Sequence, residues 1–149
     1  MKKLVAVIVV ILLFAGVLFY RTCLRASEFV ILSTNDIHAT LGNAPRLATA
    51  IKECRDTVFT IVADAGDRWT GNAYVDLAQD RLPIIRVMNS VKYDVATLGN
   101  HEFDAGQQTL ANALAYADFK VLCANMQSED NRLAQLGTTS RIKTPAGVI

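Results

Sequence analysis

The sequence predicts an α/β chain built from βαβ units and preceded by an apolar amino-terminal helix. Three observations predict it. Short β-rich runs alternate with stretches of helical spacing, the pattern of a parallel sheet joined by crossover helices. The runs are unbroken rather than alternating in polarity, as strands buried on both faces are. Finally, the apolar residues, 52% of 149, are unevenly spread. Residues 1–27 hold 20 of them, with four basic residues (Lys2, Lys3, Arg21 and Arg25) and no acid. The remainder is roughly 47% apolar, an ordinary globular composition. The chain therefore divides into residues 1–27, a signal peptide or membrane anchor, and residues 28–149, part of one domain.

The elements follow in order. Residues 4–20 are apolar except for Gly16. As a helix this run is ~25 Å long, near the lower limit for a bilayer core of about 30 Å. Met1-Lys2-Lys3 reads as the positive start of an export signal, although a cleaved signal usually has an apolar part of ~7–15 residues. The small-residue pair of a cleavage site is missing, since Ala26 has Leu24 two positions earlier and Ser27 has Arg25. Cys23 follows Tyr20-Arg21-Thr22, a poor lipid-attachment box. A helix apolar on every side is disfavoured as an ordinary core helix. Uncleaved anchor and cleaved signal remain, and either exports the chain to the periplasm or cell envelope.

Residues 29–33 form a first predicted strand and residues 58–63 a second. Between them, residues 46–54 put Leu47, Ala50, Ile51 and Cys54 on one helical stripe. Pro83 opens a helix at its first turn, with Ile84, Ile85, Val87 and Met88 facing a core. Residues 93–98 read as a third strand, 107–117 as a helix and 120–124 as a fourth strand. Residues 141–149 look like a hairpin whose second strand has barely begun, as if the chain stopped inside an element.

Composition excludes several classes. Beyond residue 27 there are 11 basic and 14 acidic residues, so no basic face for nucleic acid is expected. No low-complexity tract marks disorder. Three widely spaced cysteines, Cys23, Cys54 and Cys123, make neither a disulfide framework nor a zinc knuckle. Cys54 on a helical stripe and Cys123 in a strand read as core thiols.

The chemistry sits just after the predicted strands. Strand one runs into Thr34-Asn-Asp36-Ile-His38, strand two into Asp64-Ala-Gly-Asp67, and strand three into Gly99-Asn-His-Glu-Phe-Asp104. In open α/β sheets, ligands bind outside the carboxyl ends of strands, so these loops can converge. Carboxylates, an amide oxygen and imidazole suit divalent metals. Asp36 and His38 are two apart, so an extended segment would aim both the same way. Gly66 lets the backbone turn tightly before Asp67. Each piece has a bland reading as well. Asp-x-His is common in solvated loops, Gly66-Asp67 and Gly99-Asn100 are ordinary turns, and Asp104 could cap the next helix. Yet the only two histidines, His38 and His101, both fall in these loops. Trp69 and Gly71 are placed to line the site, or Trp69 simply packs the loop.

The three segments Ile31-Leu-Ser-Thr-Asn-Asp-Ile-His38, Asp64-Ala-Gly-Asp-Arg-Trp-Thr-Gly-Asn72 and Leu98-Gly-Asn-His-Glu-Phe-Asp104 resemble the opening motifs of the bacterial 5'-nucleotidase family, within the calcineurin-like metallophosphoesterases. Cys123-Ala-Asn125 is similar to the family's next strand end. The resemblance implies two packed β-sheets flanked by helices, of which this chain holds an incomplete amino-terminal portion. It implies two divalent metal ions (zinc, manganese or similar) about 3.5–4 Å apart. Asp36 and His38 would hold the first, Asp67 would bridge both, and Asn100 would bind the second. His101 would act on the phosphoester with Asp104 orienting its ring, Glu102 is given no ligand role, and Asn125 is a further contact.

The implied substrate is a nucleotide phosphomonoester. A cyclic-nucleotide phosphodiesterase, a sugar-phosphate phosphatase, a thiosulfate-ester hydrolase and a non-catalytic remnant are the alternatives. The family completes its metal shells with later histidines and adds a carboxyl-terminal nucleoside-binding domain. No histidine follows His101, so the chain reads as a truncated piece with little activity of its own.

Overall fold

A computed structural model describes residues 2–23 and 28–149, with side chains described for 10–20 and 28–149. Helix α1 runs Lys2–Cys23, and its described side chains, Val10 to Tyr20, are all exposed. Among the described residues no helix is long and apolar enough to cross a membrane. The anchor or signal expected over residues 1–27 rests in part on side chains outside the described residues.

The elements that carry the site then follow in chain order. They are β1 (Phe29–Thr34), α2 (Ala44–Thr57), β2 (Phe59–Asp64), α3 (Ala73–Asp76), α4 (Leu82–Val91), β3 (Val95–Ala96), α5 (Gly106–Leu114) and β4 (Lys120–Val121). The four strands form one parallel sheet in the order β1-β2-β3-β4. Thr34 pairs with Asp64, Asp64 with Ala96, and Ala96 with Val121. The carboxyl ends of neighbouring strands are thus in register, and the loops that follow leave from one edge. Helix α6 (Asn131–Ala134) and an antiparallel hairpin, β5 (Lys143–Thr144) with β6 (Gly147–Val148), complete the described chain.

The core lies between the sheet and the helices. Strand β2 is covered on both faces, with Ile61 and Val62 buried. Helix α4 contributes Ile84, Ile85 and Met88, and α5 adds Leu110, Ala111 and Ala113. Full burial of a side chain such as Ile85 contributes about 1.5–3 kcal/mol. Pro83 sits in the first turn of α4, as expected, because its missing N–H costs nothing there. Val87, half-buried, packs against the core as expected. One face of edge strand β1 stays open, with Ile31 55% exposed beside Phe59 at 41%.

The third and fourth strands are shorter than their apolar runs predict. Asp94 is the reason for the first: its carboxylate accepts from Val62 N at 2.7 Å and from Arg55 Nη2 at 3.0 Å, so a side chain takes a place the ladder would fill. The 3-10 turns and the two four-residue helices α3 and α6 carry no apolar periodicity long enough to announce them.

Candidate active site

The loop after β1 docks on the loop after β2. Asp36 N donates to Gly66 O (3.1 Å), His38 N to Asp67 O (3.1 Å) and Ala39 N to Arg68 O (2.8 Å). The segment is not extended, however. Asp36 (φ 53°), His38 (φ 46°) and Ala39 (φ 54°) are left-handed. The two side chains still meet, with His38 Nε2 3.4 Å from Asp36 Oδ1. His38 Nδ1 lies 2.9 Å from Thr70 O, and a carbonyl only accepts, so Nδ1 carries the proton. In the neutral ring the Nε2 lone pair then faces a carboxylate oxygen. Two acceptors at that distance call for a cation or a second proton, and a ring held through its other nitrogen is how metal-ligating histidines are oriented. The donor pair fits a divalent metal. Among the described residues, no three His, Cys, Asp or Glu side chains are close enough to hold one.

Two glycines let the second and third loops interlock. Gly66 has φ 103°, and a Cβ there would stand 2.5 Å from Gly99 N. A Cβ on Gly99 would overlap the Asp67 carboxylate. Asp67, itself left-handed at φ 53°, accepts from His101 N through Oδ1 at 2.9 Å. Behind this junction lies Glu102, fully buried, which accepts from Asp67 N (3.0 Å), Arg68 N (2.8 Å) and Gly99 N (2.5 Å). Arg68 is also fully buried. Its Nε donates to Asp64 Oδ2 at 3.0 Å and its Nη2 to Thr97 O. Burial pushes the Asp64 carboxyl up, against the opposing pull of the Arg68 charge and the Thr34 hydroxyl.

The third loop brings the histidines together. The rings of His38 and His101 are 4.8 Å apart, edge to face. His101 Nδ1 donates to Asp104 Oδ2 at 2.8 Å, which raises the His101 pKa. Asp104 also accepts from Thr70 Oγ1 at 2.6 Å, and these two bonds, Thr70 first, hold its carboxyl below the usual range. Asp104 therefore orients a ring rather than capping α5, whose N-cap is Ala105. Asn100 is exposed at the start of the same turn. Asn125, exposed after β4, accepts from Cys123 Sγ at 3.6 Å. Trp69 does not line the site: it is wholly buried in the core, with the Arg81 guanidinium 5.9 Å from its ring centroid. Gly71 (φ 136°) backs onto His38, where a Cβ would stand 2.9 Å from the carbonyl oxygen. Cys54 and Cys123 are free thiols, both half-buried.

Sequence reasoning missed Arg68, Thr70 and the work of Glu102. For all three the only signal was their place inside the quoted motifs, Arg68 and Thr70 in the second and Glu102 in the third.

A sheet with three strand-end loops converging on carboxylates and two imidazoles defines a phosphoesterase-like α/β scaffold. Residues 29–147 match the calcineurin-like phosphoesterase family, and the chain belongs to that family. It is 32% identical over 139 residues to a snake venom 5'-nucleotidase of Gloydius brevicauda, covering 78% of this chain and 24% of that protein. It is 39% identical over 89 residues to the trifunctional nucleotide phosphoesterase protein YfkN of Bacillus subtilis (strain 168), covering 59% of this chain and 6% of that one. Among solved structures it resembles the 5'-nucleotidase precursor from Thermus thermophilus, with a TM-score of 0.70 and 30% identity. That likeness covers 79% of this chain and 26% of the other. The chain thus spans about a quarter or less of the length of these relatives.

Proposed function

We propose that this chain carries the opening half of the active site of a nucleotide phosphomonoesterase. The observation that supports it best is the pairing of His38 and Asp36, an oriented Nε2 facing a carboxylate oxygen at 3.4 Å, beside a second imidazole that has its own carboxylate. Asp36, His38, Asp67 and Asn100 are the residues that would hold two divalent cations, which neutralise phosphate charge when bound. The remaining work falls to the chain's own groups. Asp104 holds His101 through Nδ1, leaving Nε2 as the nitrogen that can face the ester. With both nitrogens protonated, His101 donates the Nε2 proton to the leaving alkoxide oxygen as the P–O bond breaks. Four donors fall short of two metal shells, so slow turnover is expected from the 149 residues alone. The apolar residues 4–20 behind Lys2 and Lys3 support a further reading, export to the cell envelope.

Zinc or manganese titrated into the chain tests the metal reading. Asp67→Asn is expected to weaken binding by more than the ~10–100-fold that loss of an outer-shell partner costs. Absence of binding by the wild type, or equal affinity in the variant, overturns it.

A further inference from the structure

Thr70 stands where the two imidazoles are held, and the proposed chemistry leaves it unused. Its backbone is left-handed at φ 62°, which is exceptional for a β-branched residue. Asp76 holds it there, accepting from the backbone N–H groups of Thr70 (3.2 Å), Gly71 (3.0 Å) and Asn72 (3.2 Å). In that conformation the Thr70 carbonyl receives His38 Nδ1–H, while its hydroxyl reaches Asp104 on the other side. Arg81, 13% exposed, approaches the same hydroxyl, with Nη1 2.9 Å from Thr70 Oγ1. The direction of these bonds follows from the groups themselves. A guanidinium has no acceptor, so Thr70 Oγ1 accepts from Arg81 and must spend its one proton on Asp104 Oδ2. Asp104, supplied from that side, takes the Nδ1–H of His101 as its second donor. Every proton in the chain of bonds points toward Asp104.

We propose that Thr70 and Arg81 are positioning residues for the His101–Asp104 pair, holding the Asp104 carboxylate in line with His101 Nδ1 through this one-way chain. The inference rests on the reading of His101 as the proton donor. It adds that Thr70 sets both rings, His38 through its carbonyl and His101 through its hydroxyl. A plain turn-forming threonine would contribute to melting temperature and nothing else.

The test uses the 149-residue chain and needs no substrate. Proton and nitrogen-15 magnetic resonance reads solvent exchange of the His101 Nδ1–H. The wild type should show a protected Nδ1–H, and Thr70→Ser should keep it. Thr70→Val and Arg81→Gln should each speed its exchange at least about tenfold, the weight of one hydrogen bond to a charged group. Should Thr70→Val fail to fold, Arg81→Gln decides alone. An unprotected Nδ1–H in the wild type, or unchanged exchange in the folded variants, overturns the proposal. Because the readout is independent of turnover and metal, a chain that fails the zinc titration still answers it.

Discussion

A carboxylate with no exposed surface must have its lone pairs filled, and Glu102 fills them with the N–H groups of Asp67, Arg68 and Gly99. Glu102→Gln keeps the volume but turns an NH₂ toward N–H donors and leaves buried Arg68 with one carboxylate fewer at 4.0 Å. Breaking a buried charge pair on one side costs about 3–5 kcal/mol. An unfolding free energy lowered by up to that amount is expected from urea denaturation, and a variant as stable as wild type would remove Glu102 from the frame. This residue also shows where reading from sequence stops. That both histidines, Asp36, Asp67 and Asp104 stand in loops after strand ends was legible from the apolar runs before them. The burial of Glu102 was not, because glutamate is almost never fully buried and nothing local marks the exception. The left-handed turn at Asp36 and His38 was hidden for a related reason: no glycine announces it, and it is enforced from outside by bonds to Gly66 and Asp67.

Strands β1 and β2 were legible from unbroken apolar runs and α4 from Pro83 with apolar residues at helical spacing, whereas β3 starts late where the Asp94 side chain takes the N–H of the distant Val62. Helix α6 is the opposite case, too short to show a period and defined by its cap. Asp130 accepts from Arg132 N at 2.9 Å and meets the Arg132 guanidinium at 2.8 Å. These bonds, the guanidinium first, pull the Asp130 carboxyl from 3.8 down to about 2. A depressed acid stabilises the fold only while ionised. Its contribution is complete above the ordinary aspartate range and is lost as pH falls toward 2. Carbon-13 titration of the Asp130 carboxyl should show a midpoint near that value. A midpoint at the ordinary 3.8 would mean the cap is not formed in solution. Asp130→Asn should retain the cap and lose the acid dependence.

The membrane question belongs to the full chain. Expressed in a bacterium with residues 1–27, the protein is expected to stay with membranes after a high-salt wash, which strips only electrostatic attachment. Recovery in the periplasm of a product starting near residue 27 would favour a cleaved signal, and recovery of the full chain in the cytosol would sink export altogether. The architecture was legible further than its details, since alternating runs and three motifs in order point to one sheet edge. The same order has a consequence for synthesis. The strands stand in the sheet as they are made, β1 to β4, so each loop docks on one already present. Glu102 lies 35 residues after Asp67, an interval of roughly 2–7 s on a ribosome adding about 5–20 residues per second. For those seconds the second loop waits with its amides unclaimed. The last of the three motifs to be translated is the one that closes the second.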